Sequence, residues 1–360
     1  MLGRIADVVL CSGADAAAGS CRDGSLIGSV VAGAGAGPLP FYLSGGRVYV
    51  TGPYRGAPFG LSVVVPAVAG PFDLGRVVVR AAVFVDRHTA ALRVVADPLP
   101  RVLEGIPLQL RDVRVAVDRP GFMVNPTGCG RKRVRGVVES VAGRVVGVLD
   151  RFRAAECGEL PFRPRLRLFV GSRGHTHARQ SVPLTAVLTQ RPGEAGIRDL
   201  SVTLPSILSA QLPVVEDACT PEAFAVGRCE ASRVGTALAV TPLLRDPLRG
   251  GAYLVRSTDH PLPDLVVALR GQVDFDLIGR VAIPRGKHLA ARFDDVPDVP
   301  ISRVVLRFHA ALGARGVVGL ARGLCGAVPR ALHVAVNVQG QNDFWAQLQS
   351  RLISQGCHGD

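Results

Sequence analysis

Lysine is nearly missing from these 360 residues: only Lys132 and Lys287 occur, and the other forty basic side chains are arginines. Arginine in quantity beside Ala, Gly, Val and Pro is what GC-rich coding writes, so the net charge of +13 does not by itself point to nucleic acid. The arginines are scattered through every segment instead of gathered in a stripe. Aromatics amount to 5%, with one Trp and four Tyr, too few to offer stacking platforms for bases. Nucleic acid is therefore not an expected partner. The densest basic run, Arg131-Lys132-Arg133-Val134-Arg135, reads as a solvated strand or turn, with a polyanion contact as the alternative.

Long helices are excluded next. Gly 42 and Pro 26 interrupt the chain about every five residues, and Val-rich runs fill the gaps. That combination predicts many short strands. No transmembrane segment is expected: the longest uncharged stretch, Gly24 to Gly46, holds Gly33, Gly35, Gly37, Pro38 and Pro40. No signal peptide is visible in Met1-Leu2-Gly3-Arg4-Ile5-Ala6-Asp7, which lacks a charged leader followed by an apolar core.

What is present is self-similarity. Cys11 and Cys21 stand ten apart, and so do Cys219 and Cys229, 208 positions later. Cys129 and Cys157 are 28 apart; Cys325 and Cys357 are 32 apart. Leu43-Ser44-Gly45-Gly46 echoes Leu248-Arg249-Gly250-Gly251, each soon followed by a tyrosine, Tyr49 or Tyr253. Ile106-Pro107-Leu108 echoes Val299-Pro300-Ile301, and Arg151-Phe152 before Cys157 matches Arg351-Leu352 before Cys357. The pairs that recur are Cys11–Cys21, Cys129–Cys157, Cys219–Cys229 and Cys325–Cys357, each closing a short loop worth about 3 kcal/mol in the chain-entropy account. Zinc is the rival, but no Cys-x2-Cys pair exists and no His lies at ligand spacing from these cysteines. Disulfides need an oxidising compartment, which predicts an extracellular or cell-envelope location.

About sixty residues of strand pattern precede Cys219, among them Arg165-Leu166-Arg167-Leu168-Phe169-Val170, Leu184-Thr185-Ala186-Val187-Leu188 and Leu200-Ser201-Val202-Thr203-Leu204. Only ten residues precede Cys11. The first copy is expected to begin mid-unit, as in a fragment or mis-started frame of a longer secreted chain; a capping unit is the alternative. Period-2 alternation with turns every eight to twelve residues predicts an all-β fold of tandem immunoglobulin-like β-sandwiches in two repeats of about 200 residues, the first truncated. The expected domains are a half-sandwich over 1–57 and sandwiches over 58–158, 159–258 and 259–360. A short helix is expected from Asn342 to Ser354, where Phe344, Leu348 and Leu352 would share a face.

Pro58-Phe59-Gly60-Leu61 leading to Val64-Val65-Pro66-Ala67-Val68-Ala69-Gly70-Pro71-Phe72-Asp73-Leu74-Gly75, then Val83-Phe84-Val85-Asp86, resembles large uncharacterised secreted repeat proteins of high-GC Gram-positive bacteria. Asn125-Pro126-Thr127 ahead of Cys129, Ala186-Val187-Leu188-Thr189-Gln190 and Leu262-Pro263-Asp264-Leu265 carry the same resemblance. It implies a secreted or cell-envelope protein of many such units and supplies no catalytic residues.

Few residues suggest chemistry. His175 and His177 sit at i and i+2 without a third ligand nearby in sequence. Asp274 and Asp276 would share a strand face, and Asp294, Asp295 and Asp298 crowd a turn without forming a calcium loop. Gly33-Ala34-Gly35-Ala36-Gly37 runs into prolines instead of a helix and reads as a flexible loop. No nucleophile elbow, zincin helix or Walker loop occurs, so no catalytic, cofactor or metal residue is assigned. The expected function is a non-enzymatic secreted or cell-surface structural or adhesive repeat protein, facing a cell-envelope polymer or a protein surface. A carbohydrate-binding module, with Trp345 or Tyr54 as the sugar platform, is the alternative; an accessory region of a secreted hydrolase is third.

Overall fold

Short β-rich runs between glycines and prolines leave strands as the element these residues can build, and a computed structural model of the chain is 50% strand and 9% helix. It describes residues 2–35, 39–69, 71–283, 288–310 and 316–357. Ala36, Gly37 and Pro38 of the glycine-rich loop, and Lys287, lie outside the described residues. Two compact units emerge: unit 1 is Met1–Val124 with Pro242–Asp246 and Gln272–Asp274, and unit 2 is the remainder.

Unit 1 carries β1 (Leu2–Gly3), α1 (Gly13–Ala18), β2 (Leu26–Ala34), β3 (Phe41–Thr51), β4 (Phe59–Ala69), β5 (Phe72–Val85), β6 (Leu92–Ala96), β7 (Val102–Leu103), β8 (Ile106–Pro107), β9 (Leu110–Ala116) and β10 (Met123–Val124). Its main sheet runs β6-β5-β4-β3-β2-β9, all antiparallel. The core beneath it gathers Ile5, Val8, Ile27, Val30, Val48 and Phe59. Among the described residues β9 pairs with β2 alone and β6 with β5 alone, so the sheet has two open edges.

Unit 2 begins with the hairpin β11 (Lys132–Glu139) and β12 (Val145–Phe152), a two-stranded sheet on its own. Then come β13 (Arg165–Val170), β14 (Leu184–Thr189), β15 (Ile197–Thr203), β16 (Leu208–Ala210), α2 (Leu212–Glu216), α3 (Pro221–Ala225), β17 (Arg233–Val240) and β18 (Leu248–Val255). The unit ends with β19 (Asp264–Arg270), β20 (Phe275–Ala282), β21 (Ala290–Phe293), β22 (Arg303–Phe308), β23 (Val318–Leu320), β24 (His333–Gly340) and β25 (Trp345–Ser354). Eleven of these strands close a barrel in the order β13-β14-β22-β17-β18-β19-β20-β21-β15-β24-β25. An odd number of strands cannot alternate direction all the way round. The parallel pair falls between β13 and β25, with Leu168 opposite Leu352.

This ring differs from the expected sandwiches. The β18–β19 ladder, Val255 opposite Asp264, crosses the boundary expected at 258/259, and the β3–β4 ladder crosses 57/58. The chain divides between Val124 and Asn125, inside the expected 58–158 domain. Period-2 alternation specifies a strand with one buried face, and that face can look into a barrel as readily as across a sandwich. The helix expected over Asn342–Ser354 is also replaced, by β25. Gln347, Gln349, Arg351 and Ile353 face water while Leu348, Ser350 and Leu352 turn inward, a period of two. Asp343, with φ of 66°, makes the hairpin turn that brings Trp345 opposite Gln339.

The run β9-β2-β3-β4-β5-β6 has a counterpart, strand for strand, in β22-β17-β18-β19-β20-β21. Both runs place a bulge after the first pair, Leu26 opposite Tyr49 in one and Arg233 opposite Tyr253 in the other. Each bulge is followed by a glycine against the neighbouring strand. A Cβ on Gly28 would lie 1.9 Å from the Ala116 carbonyl oxygen, and one on Gly235 would lie 2.3 Å from that of Arg307. β13, β14 and β15 have no counterpart in unit 1 among the described residues.

Candidate functional site

The cysteines pair as their spacing predicts: Cys11–Cys21, Cys129–Cys157, Cys219–Cys229 and Cys325–Cys357, with Cα separations of 5.6, 5.5, 5.8 and 5.5 Å. All lie inside the range a disulfide spans without moving backbone. The two ten-residue loops are built alike. Ser12 caps α1 by accepting from the Asp15 amide at 3.1 Å, and Thr220 caps α3 by accepting from the Ala223 amide at 3.2 Å. Each first cysteine is tied to a strand end by two backbone hydrogen bonds. The Cys11 amide donates to the Val50 carbonyl while the Gly52 amide donates to Cys11; the Cys219 amide donates to Leu254 while the Arg256 amide donates to Cys219. The Ser12 hydroxyl, then Ser20, holds the Asp15 carboxyl below its ordinary value. In the second loop Phe224 packs edge-on against Tyr253, whose phenol burial pushes upward.

Residues singled out for chemistry are dispersed. His175 directs Nδ1 to the Ser181 carbonyl at 3.0 Å, whereas His177 is exposed. Asp274 pairs with Arg87 at 3.6 Å, and Asp276, buried, takes the Arg270 guanidinium. Asp294 takes Arg292, and the Asp295 amide donates to Asp199. Asp298 is a fastening point: it accepts from the Thr127 hydroxyl at 2.6 Å and the Gly128 amide at 2.8 Å, with Lys132 at 4.0 Å. Thr127 in turn accepts from the Gly196 amide at 2.8 Å. Among the described residues no group of three or more His, Cys, Asp or Glu is placed to hold a metal ion. Tyr54 has its ring covered by the Arg80 guanidinium at 3.7 Å and its hydroxyl on Asp97 at 2.6 Å, while Trp345 stands 65% exposed on β25.

The feature that spacing did not reveal is inside the barrel. A cavity of about 190 Å³ lies in its lumen, lined only by Leu, Ile, Val, Ala, Pro and Phe. Its walls come from alternate positions, Leu166 and Leu168 of β13, Leu200 and Val202 of β15, Leu277 of β20 and Leu306 of β22. Side chains just fill an eight-stranded barrel, and eleven strands make a wider one. Few aromatics are available to take up the difference. At about 24 cal/mol per Å³, an unfilled space of this size forgoes about 4–5 kcal/mol of packing. The signal in the sequence was there: i, i+2 aliphatics in these strands, with Phe293 and Phe308 as the rings among the lining residues. Seeing it as a cavity required knowing that the sheet closes.

Compared with protein-family models, curated proteins and solved structures, the chain matches none. The four disulfides are compatible with an oxidising compartment, and among the described residues no helix is long and apolar enough to cross a membrane.

Proposed function

We propose that the chain is a non-enzymatic secreted or cell-surface protein with a structural or adhesive role, built of tandem copies of one disulfide-stapled β unit and set against a cell-envelope polymer or protein surface. The observation that supports this most is the shared build of the two units: the same run of six strands, the same capped loop between cysteines ten apart, and the same two backbone hydrogen bonds fastening the first of them. A unit copied with its staples suits a load-bearing or spacing role. The resemblance to large secreted repeat proteins of high-GC Gram-positive bacteria agrees with it, as does the requirement of disulfides for oxidising surroundings.

Carbohydrate binding is the less favoured alternative because Tyr54, one of its two platforms, is already occupied on its ring face by Arg80. A glycan array with the purified, oxidised chain tests the choice. The expected result is no saccharide binding that depends on Trp345 or Tyr54. Robust binding abolished by Trp345→Ala would replace the structural reading with the carbohydrate one.

A further inference from the structure

We propose that the lumen of the unit 2 barrel is a binding site for a small uncharged apolar ligand, an alkyl segment or a hydrocarbon ring. The volume of about 190 Å³ sets the size. Apolar protein cavities of about 150 Å³ stay dry and admit benzene or xenon. The chemistry of the wall sets the class. No side chain in it can donate or accept a hydrogen bond, so a carboxylate, a sugar or a nucleotide would lose its hydration there and gain nothing in return.

Burial supplies the second observation. Leu166, Leu200, Val202, Leu277 and Leu306 point into a ring of paired strands, yet each is only half-buried. Their outward neighbours cannot account for this, since the faces in question are the inner ones. The space between them is simply not occupied by protein. Atoms lining such a gap lack dispersion partners on one side, and water without polar partners does not supply them. A hydrocarbon group does. The position of β13, β14 and β15 matters as well: they furnish eight of the thirty lining residues, and among the described residues they have no counterpart in unit 1. The site therefore belongs to the closed barrel and not to the open sheet.

The test uses the full oxidised chain with cyclohexane and n-hexane as probes and hexanoate and 1,6-hexanediol as polar controls. Scanning calorimetry reads unit 2's unfolding, and methyl-selective NMR reads the leucine and valine resonances. The expected result is a saturable rise in unit 2's Tm with either hydrocarbon, accompanied by shifts of the Leu166, Leu168, Leu200 and Val202 methyls, and no such effect with the controls. Ala186→Phe, placed to fill the lumen, should weaken probe binding by at least about ten-fold while unit 2 still unfolds cooperatively. Should that variant not fold, Ala291→Leu offers a smaller filling with the same expected direction, and the wild-type methyl shifts decide by themselves. Lumen methyls that stay unmoved at probe saturation overturn the proposal. So do shifts confined to exposed aliphatics such as Val94 of β6 and Val115 of β9.

Discussion

Replacing Gly235 by alanine should destabilise unit 2 through one contact. The added Cβ would stand 2.3 Å from the Arg307 carbonyl oxygen, with the Arg307 carbonyl carbon at 3.0 Å and the Phe308 Cα at 3.2 Å. All three are backbone, held in the β17–β22 ladder, so no rotamer can yield. Relieving the overlap means driving two paired strands about 1 Å beyond their usual spacing of about 4.8 Å, at the cost of local ladder hydrogen bonds. Overpacking of this kind costs about 1–3 kcal/mol, and the rigid neighbour places Gly235→Ala at or above the top of that range. Gly28→Ala should act the same way in unit 1, where the Cβ would meet the Ala116 oxygen at 1.9 Å. Gly147→Ala on β12 is the control, because nothing lies within 4 Å and its φ is ordinary, so the change should be neutral or stabilising by up to about 1 kcal/mol. Urea unfolding followed by amide exchange resolves the two units. A Gly235→Ala protein within 0.5 kcal/mol of wild type, a margin typical of harmless surface changes, would refute the reasoning that close strand approach selects glycine here.

Removing the Cys325–Cys357 bridge by alanine at both positions should lower unit 2's stability by about 3–4 kcal/mol, against about 2.5–3 for Cys219–Cys229, because the loop spans 32 residues and not ten; paired thermal melts check the order. Asp298→Ala strands the Thr127 hydroxyl and the Gly128 amide, and denaturant titration should show a loss of about 2–4 kcal/mol, with Asp298→Asn losing less. The Asp86 carboxyl lies below its ordinary 3.8, chiefly through the Thr89 hydroxyl and then the Thr89 and His88 amides. A depressed carboxylate stabilises above its unfolded pKa and loses that contribution as pH falls through the folded one. The Thr89 amide resonance should therefore titrate with a midpoint below 3.8, and Asp86→Asn should abolish the titration.

Local chemistry was legible where it depends on near neighbours. Cysteines ten apart with Ser12 or Thr220 just after the first announce a capped turn, and the alternation Leu166-Arg167-Leu168 announces a strand with a wet side. Partners far apart in sequence were not legible. Nothing in Asn125-Pro126-Thr127 indicates that Thr127 will bind Asp298, 171 positions away. Leu348 and Leu352 fit one face of a helix and one face of a strand equally well. Only the turn at Asp343 and the opposing β24 ladder decide between the two.

The same limit governs burial itself. β9, Leu110–Ala116, and β22, Arg303–Phe308, are both arginine-and-valine strands whose inner neighbours, β2 and β17, correspond. Val113 and Val115 are nevertheless 47% and 53% exposed, whereas Val304, which faces the lumen, is 9% exposed. The hairpin repeats the contrast: Val134, Val137 and Val138 of β11 are exposed, while Val334, Val336 and Val338 of β24 are fully buried. Periodicity treats each pair alike, because it reports which residues share a face and is silent about what covers that face. In unit 2 β13, β14 and β15 pair onto β22, β25, β24 and β21, and Leu168, Leu184, Leu204, Leu208 and Leu320 share one core with Val334 and Val336. The inner face of a strand here is buried when the strands beyond it complete the ring, so a substitution in β14 or β15 should loosen β22 and β24 as much as its own element. For these sequences the inner core is a property of closure, and closure is decided by segments 87 to 184 residues away.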